Sequence, residues 1–379
     1  MYSGKTVFAQ LMMFGSEYYF KKCVDRYGGD YRVRKLSCRE QFLTMSFAQL
    51  TSRESLRDIE NCLVASGIPK STLADANESR DWRIYADYAQ CLIRKARPLY
   101  FDDPEFRLDM DNMVYALDST TIDLCLSMFP WAKFRKTKGA VKMHTLLDLR
   151  GSIPIYIDIT TGSVHDVNIL DTMPIEPGSY YIMDKGYTDF KRLYQKITTQ
   201  NAFFVTRAKD NLNHSIIERF EVDKNTGILE DKLISLDGFY TSKKYPEVLR
   251  VVTYENFSDG TLYNFMTNDF SLEAITIAEL YKDRWKIELF FKWIKGHLKI
   301  KTFYGTSENA VKCQIWIAIC TYLIAAIAKK KLELKVSLYT FTQTIGLTLF
   351  EKTDIKELFS GKKYINNLSD YPILPLWES

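Results

Sequence analysis

Two aspartates stand directly after apolar runs that have the composition of buried strands. Asp118 follows residues 113–117 (MVYAL), and Asp184 follows residues 180–183 (YYIM). An unpaired buried carboxylate is unfavourable, so each aspartate must face solvent, a hydrogen-bond donor or a cation. Either residue alone fits a turn or a helix cap. Two of them at strand ends of one sheet, where α/β proteins bind ligands, can share a divalent metal ion.

A third carboxylate, Glu288, lies in the segment 272–297, whose apolar spacing predicts one long helix. At about 100° per residue, the same helix face carries a phenol and several cations: Tyr281, Arg284, Lys292, Lys295 and Lys299. The opposite face is apolar and can pack on a sheet. An ordinary solvated face with Arg284 and Glu288 as an i,i+4 pair is the alternative. The excess of lysines without nearby acidic partners favours a binding surface.

Three carboxylates suit hard cations, which prefer oxygen ligands. A pair of Mg²⁺ ions about 3.5–4 Å apart can activate an attacking oxygen and stabilise the leaving oxygen when a phosphodiester is displaced. The sequence therefore predicts a site for two Mg²⁺ ions at Asp118, Asp184 and Glu288, with Mn²⁺ as a substitute.

Charge is nearly balanced over the whole chain but unevenly distributed along it. The 51 basic and 47 acidic residues give a net charge of +4. The segment 129–147 contains no acidic residue and five basic ones: Lys133, Arg135, Lys136, Lys138 and Lys142. The segment 281–301 contains seven basic residues and two acidic ones. Positive charge near the three carboxylates predicts a polyanionic substrate, and it favours a nucleic acid over a small phosphate compound.

The order of the predicted elements is that of an α/β protein with a mixed sheet. Residues 1–105 have helical spacing, and residues 106–208 contain the order βββαβαβ. This order predicts a mixed sheet with helices on its faces. Residues 209–270 have the turns and short strands of a β-rich insertion subdomain, after which residues 271–330 return to the core. Residues 331–379 have the pattern of a helical C-terminal region.

The N-terminal region contains a candidate DNA contact. A turn followed by a helix over residues 68–83 would direct Lys70, Arg80 and Arg83 toward phosphates. A small helical bundle without a role in DNA binding is the alternative.

Cysteine usage and apolar runs indicate the compartment. The seven cysteines are scattered and include no Cys-x-x-Cys pair, which argues against a disulfide framework and a structural zinc site. The N-terminus lacks the pattern of a signal peptide. The apolar run 313–328 is shorter than the roughly 20 residues of a membrane span, and it contains polar residues. It therefore predicts a buried core helix.

The run Tyr281-x-x-Arg284-x-x-x-Glu288-x-x-x-x-x-x-Lys295, after Asp118-Ser-Thr and Asp184-Lys-Gly-Tyr, resembles the YREK signature of DDE transposases of bacterial insertion sequences. The chain looks like a member of the insertion-sequence-four family over roughly residues 110 to 330. The helical region 1–105 also resembles the one that these enzymes carry, which implies a domain that binds the DNA end. The resemblance implies a ribonuclease-H-like core interrupted by a β-rich insertion. It also implies cut-and-paste transposition of a mobile element, in which a hairpin forms at the end of the excised DNA.

The resemblance also assigns roles to single residues. Asp118, Asp184 and Glu288 would be the catalytic, metal-binding triad. Phosphates near the cleavage point would be held by Tyr281, Arg284 and Lys295. The predicted DNA-binding set further includes Trp285, Lys292, Lys299 and the five basic residues of segment 129–147. A flipped base at a hairpin needs an aromatic stacking partner, and since the insertion contains no tryptophan, the candidates are Trp285, Phe257 and Tyr263.

The implied partners are double-stranded DNA with terminal inverted repeats, target DNA and a second copy of the chain in a synaptic complex. No membrane partner is expected, and the implied location is the bacterial cytoplasm, at the nucleoid. Two other functions stay open: a metal-dependent nuclease or resolvase on the same core, and a domesticated DNA-binding protein without catalysis.

Overall fold

A computed structural model describes residues 4–63, 67–101, 110–297 and 303–360. The chain forms two compact units. The first comprises Met1–Asp102, Ile122–Ala140 and Phe290–Ser379, and the second comprises Asp103–Thr121 and Val141–Leu289. The helices after residue 290 thus group with the N-terminal helices, whereas the pattern of the sequence assigned residues 271–330 to the core of the sheet.

The N-terminal part of the chain is helical, as its apolar spacing predicts. Several helices begin where a Ser or Thr side chain accepts a hydrogen bond from a backbone N–H, as Thr6, Ser16, Ser37 and Ser55 do. The helices are α1 (Val7–Met12), α2 (Glu17–Arg26), α3 (Cys38–Leu50), α4 (Leu56–Cys62), α5 (Lys70–Ser79) and α6 (Arg83–Ala96).

The expected phosphate-facing role of Arg80 is wrong. Its side chain is buried, and its guanidinium donates to the Ser37 carbonyl at 2.9 Å and to Oε1 of Gln41 at 2.9 Å. Arg83 is exposed, but it forms an ion pair with Asp81. The helix pattern did not reveal this, because a basic residue at a helix end has the same sequence signature whether it faces solvent or satisfies buried carbonyls.

A ten-stranded mixed sheet follows. Its strands are β1 (Val114–Leu124), β2 (Lys133–Arg135), β3 (Lys138–Asp148), β4 (Ile153–Thr161), β5 (Tyr180–Met183), β6 (Phe203–Arg207), β7 (His214–Phe220), β8 (Ile228–Leu236), β9 (Leu249–Asn256) and β10 (Thr261–Thr267). The strand order is β2-β3-β1-β5-β6-β10-β9-β8-β7, and β4 pairs with β3. Strands β1, β5 and β6 are parallel neighbours. The predicted mixed α/β architecture is therefore present.

The segment 209–270 extends this sheet instead of forming a separate subdomain. Strand β10 pairs antiparallel with β6, with Phe265 opposite Arg207, and β9, β8 and β7 continue outward. Strand β7 lies at the edge, and its residues are largely exposed. Its pairing with β8 is interrupted by a register shift between Ile216 and Glu218.

Short helices connect the strands, and two longer ones follow the sheet: α7 (Phe190–Arg192), α8 (Phe239–Lys244), α9 (Ala274–Asp283) and α10 (Trp285–His297). The segment 272–297, predicted as one long helix, is helical over almost its whole length, but a turn at Arg284 divides it into α9 and α10. There the N–H of Arg284 bonds to the carbonyl of Tyr281, and the N–H of Ile287 bonds to that of Arg284. This i→i−3 spacing tightens the turn between the two helices.

Three helices complete the described chain: α11 (Glu308–Lys331), α12 (Leu338–Thr348) and α13 (Ile355–Ser360). Helix α11 is long and apolar enough to cross a membrane by composition, but 94% of its apolar window is buried inside the protein. It packs on α3, α5 and α6 within the first unit. The prediction of a core helix over 313–328 is therefore confirmed. All seven cysteines are free.

Candidate active site

Asp118 and Asp184 lie side by side on neighbouring parallel strands. In the pairing of β1 with β5, Leu117 stands opposite Met183, so the next residue of each chain segment is one of the two aspartates. Strand β1 continues to Leu124, which differs from the prediction that Asp118 ends it. Asp184 directly follows β5. Parallel strand pairing therefore places two carboxylates at adjacent positions of the sheet.

Arg284 connects the third carboxylate to the first. Its guanidinium donates to Oδ2 of Asp118 at 3.4 Å and to Oε1 of Glu288 at 2.8 Å. Glu288 lies in the first turn of α10, one helical turn after Arg284, so the i,i+4 spacing lets one guanidinium reach both carboxylates. The side chain of Arg284 is largely buried and that of Glu288 is exposed.

Asp184 has its own donors. Its Oδ1 accepts from the guanidinium of Arg207 at 3.1 Å and from the phenol of Tyr281 at 3.3 Å. Arg207 was missed in the sequence, although a signal existed. It ends β6, the strand next to β5, and a basic residue at that strand end lies at the same sheet edge as Asp184.

The two aspartates differ in their electrostatic environment. Burial raises the pKa of Asp118 to about 6; the positive charge of Arg284 opposes this shift, and the negative charges of Glu288 and Asp184 add to it. Burial also acts on Asp184, but its pKa is lowered because the Lys185 N–H, Arg207 and Arg284 stabilise its ionised form. Burial raises the pKa of Tyr281 to about 12. One carboxyl of the pair is thus held ionised, while ionisation of the other is opposed.

The donor set fits a hard divalent cation by chemistry. Asp118, Asp184 and Glu288 offer only carboxylate oxygens, the ligands that Mg²⁺ prefers. Among the described residues no three acidic, His or Cys side chains lie close enough together to form a ready metal site. The guanidinium of Arg284 instead supplies positive charge to Asp118 and Glu288, at hydrogen-bond distance from both. Asp118 and Glu288 therefore share one cationic partner, the guanidinium of Arg284.

Ser119 connects Asp118 to a hydrogen-bond network that includes Asp166 and Lys142. The Ser119 N–H donates to Oδ1 of Asp118 at 2.8 Å, and the Ser119 hydroxyl donates to Oδ1 of Asp166 at 2.7 Å. The ammonium of Lys142 lies 3.2 Å from the same oxygen of Asp166 and donates to the Val164 carbonyl. This network ties the backbone beside Asp118 to a charged pair on other elements of the sheet unit.

The remaining predicted residues occupy different environments. In segment 129–147 the exposed cations are Lys133, Arg135, Lys136 and Lys138, whereas Lys142 is turned toward Asp166. On α10, Lys292 is exposed and Lys295 is half-buried. Lys299 lies outside the described residues. Of the aromatic candidates, Trp285 and Phe257 are exposed, whereas Tyr263 is only 4% exposed and cannot stack on a base.

Comparisons with known proteins identify the family of the chain. Residues 109–324 match the family described as Transposase DDE domain, and residues 3–67 match a domain of unknown function, DUF4372. The chain is 35% identical to a Sinorhizobium fredii protein named as transposase y4zB, over 75% of this chain and 78% of that one. It is 29% identical to a protein of Geobacillus stearothermophilus named as a transposase for the insertion sequence element IS5377, over 55% of this chain and 54% of that one.

A further relative in Synechocystis, named as a transposase for the element IS4SA, is 25% identical over 66% of this chain and 67% of its own length. Among solved structures, a piggyBac transposase synaptic complex with hairpin DNA is 11% identical and has a TM-score of 0.47, covering 97% of this chain and 83% of that chain. The family match spans more than half of the chain. The chain therefore belongs to the transposases with a DDE domain.

Proposed function

We propose that this protein excises and integrates an insertion sequence, and that it is a YREK-bearing enzyme of the insertion-sequence-four type. The observation that carries the proposal is that Asp118 and Glu288 share the guanidinium of Arg284, while Asp184 follows the parallel strand next to that of Asp118. The strand order β4-β3-β1-β5-β6, in which β1, β5 and β6 are parallel, supports a ribonuclease-H-like core for this site.

Asp118, Asp184 and Glu288 would hold two Mg²⁺ ions, with Mn²⁺ as a substitute. When bound, such ions activate an attacking oxygen and stabilise the leaving oxygen of a phosphodiester. The chain's own cations complete the site. Arg207 and Arg284 neutralise the carboxylates and can turn to the phosphates of the scissile strand, because a guanidinium binds carboxylate and phosphate with the same planar fork of donors.

The reaction sequence consists of four in-line displacements at phosphorus. Water cleaves the transposon end and releases a 3′-hydroxyl, which then attacks the opposite strand to give a hairpin and release the flanking DNA. A second water reopens the hairpin, and the 3′-hydroxyl finally joins to target DNA. Trp285 supports the hairpin step, because an exposed indole directly after Arg284 can stack on a flipped base. Two copies of the chain would act on paired ends.

A strand-transfer assay tests this function. The purified chain is incubated with duplex DNA that carries the terminal repeats flanking its gene, with a target plasmid and Mg²⁺. We expect cleaved ends and joined products, both abolished by EDTA. Cleavage without joined products would assign the chain to the metal-dependent nucleases instead. Metal-independent DNA binding without cleavage would indicate a domesticated binding protein.

The hydrogen bonds that link Asp118 to Asp166 through Ser119 predict a positioning role for Asp166. Substituting Asp166 with alanine removes the acceptor of the Ser119 hydroxyl and the ion-pair partner of Lys142. Substituting a residue that orients a metal ligand typically lowers metal affinity or activity by about 10- to 100-fold. We therefore expect Asp166→Ala to raise the Mg²⁺ concentration needed for half-maximal cleavage by that factor.

Ser119→Ala should change the same quantity in the same direction, since it breaks the network at its other end. Asp123→Ala is the matched control, because Asp123 is an exposed carboxylate of the same strand. An unchanged Mg²⁺ dependence in Asp166→Ala would contradict the positioning role.

A further inference from the structure

The loop between α2 and α3 is a third concentration of positive charge. Residues 21–39 contain seven basic residues and two acidic ones. The segment lies within the region matched by the domain of unknown function. Three of these cations stand at the tip of the loop: Arg32, Arg34 and Lys35. We call residues 28–35 the cationic loop.

The tip of the cationic loop is open to solvent. Each residue from Asp30 to Lys35 is exposed, and the ring of Tyr31 is 73% exposed. Among the described residues, neither Arg32, Arg34 nor Lys35 lies within ion-pair distance of an acidic side chain. The Arg32 guanidinium lies 5.1 Å from the centroid of the Tyr31 ring. The one acidic residue at the tip, Asp30, accepts a hydrogen bond from the Cys38 N–H at 2.6 Å.

The base of the cationic loop is held in place by packing. A side chain at Gly29 would place its Cβ 2.5 Å from Cδ1 of Ile84 and 2.7 Å from Sγ of Cys38, so the backbone is packed tightly there. Leu36 is buried directly after the tip. Arg80, buried below, donates to the Ser37 carbonyl and so secures the chain as it enters α3. Rigid presentation reduces the entropy lost when the cations bind a partner.

The charges around the loop select where an anion can lie. A cleft of about 850 Å³ lies between the loop and α5, and Asp75 and Asp81 line it together with Arg32, Arg34 and Lys35. The two carboxylates disfavour a phosphate enclosed between the loop and α5. The exposed tip of the loop carries three positive charges within four consecutive residues. An extended polyanion that runs over the tip fits this pattern better than a small phosphate enclosed in the cleft.

We propose that the cationic loop binds the phosphate backbone of duplex DNA through Arg32, Arg34 and Lys35. The identification of this DNA as the transposon end rests on the proposed function. The contact would position the DNA without reading its sequence, because phosphate contacts carry no direct base information. This role differs from the predicted DNA contact of segment 68–83, whose Arg80 instead supports the base of the loop.

The test compares the wild-type chain with the triple variant Arg32→Ala, Arg34→Ala, Lys35→Ala. Binding to a terminal-repeat duplex and to a scrambled duplex is measured by fluorescence anisotropy in EDTA, over about 50 to 200 mM salt. Each phosphate contact contributes about 0.9 to the slope of log affinity against log salt, so the slope should fall by about 2.7. At about 0.2 M salt the affinity for both duplexes should fall by about 10- to 100-fold.

The matched control is the triple variant Lys335→Ala, Lys352→Ala, Lys356→Ala. It removes the same charge from exposed positions, two of which lie beside acidic residues, and should leave the slope unchanged. Both variants should melt at the wild-type temperature, since all six side chains are exposed. A cationic-loop variant that keeps the wild-type slope would overturn the proposal, as would a wild-type chain that binds neither duplex.

The catalytic proposal is tested separately. At saturating DNA the cationic-loop variant should cleave at the wild-type rate in Mg²⁺, because none of the three residues belongs to the catalytic site. A wild-type chain that never joins DNA, but whose binding depends on the loop, would refute the transposase function and leave this inference standing. A wild-type chain that joins DNA, together with a cationic-loop variant whose salt slope is unaltered, would support the transposase function and refute the role of the loop.

Discussion

Replacing Asp118 with asparagine is expected to lower the rate of Mg²⁺-dependent cleavage and joining by about 10³-fold or more. The substitution removes one of three carboxylates that would hold the metal ions, whose stabilisation of transition-state charge amounts to several kcal/mol. About 4 kcal/mol corresponds to roughly 10³ in rate. Glu288→Gln should have an effect of the same order, because its carboxylate shares the Arg284 guanidinium with Asp118.

The same substitution should not weaken the fold. Burial raises the pKa of Asp118 to about 6, so the ionised carboxylate destabilises the folded state at pH values above the pKa of the unfolded chain. Asparagine has no charge to bury and can still contact Arg284. We expect the free energy of unfolding at neutral pH to rise. As pH falls below the unfolded pKa, where Asp118 is protonated in both states, this difference should disappear.

Rates of cleavage, measured together with urea unfolding at neutral and acidic pH, check both parts of this expectation. Asp123→Asn is the control, since the exposed Asp123 should affect neither quantity. An active Asp118→Asn variant would remove this residue from the catalytic site. A variant that is inactive and unfolded would leave the role of Asp118 to be judged from Glu288→Gln.

Substituting Arg250 with alanine is expected to lower the free energy of unfolding by about 3 to 5 kcal/mol. Arg250 forms two hydrogen bonds with Asp231, at 2.9 and 2.7 Å, and both side chains are more than 90% buried. The alanine variant leaves the Asp231 carboxylate buried without its partner. Arg250 also donates to the Leu272 carbonyl, just before α9, so the helix that carries Tyr281 should loosen as well.

Two further variants make the measurement specific. Arg219→Ala breaks an exposed pair with Glu230 on the same part of the sheet and should change stability by no more than about 1 kcal/mol. The double variant Arg250→Met, Asp231→Leu removes both charges and should recover most of the loss, because apolar residues of similar size can replace a buried ion pair. Denaturant titration gives all three values. Equal losses in Arg250→Ala and Arg219→Ala would contradict the argument.

The carboxylates could be predicted from the sequence because each follows a recognisable pattern. Asp184 follows four apolar residues that form β5 with the predicted bounds, and Asp118 follows the run that begins β1. Parallel neighbours then bring the two together. The contact of Arg284 with Asp118 could not be predicted, because helical spacing fixes which residues share a face but not what that face meets. Arg207 was missed although its position at the end of β6, the strand next to β5, was a signal for it.

Other features could not be predicted because the local sequence pattern does not reveal them. The apolar spacing of residues 272–297 continues across Arg284, so it gives no sign of the tightened turn that separates α9 from α10. Strands β7 and β8 lack a clear apolar alternation, because β7 is largely exposed and β8 is only partly buried. Arg80 has the sequence context of a surface cation, and its burial depends on carbonyl groups from distant residues.

The outward extension of the sheet leaves β7 with an unpaired edge, which has consequences for how concentrated samples behave. An exposed strand containing Ile216, Ile217 and Phe220 is a template for pairing with other chains. The register shift before Glu218 bends this strand, and Glu218 and Arg219 place charges along it. Both features oppose edge-to-edge aggregation. Substitutions that straighten or neutralise β7 should therefore reduce solubility before they affect catalysis.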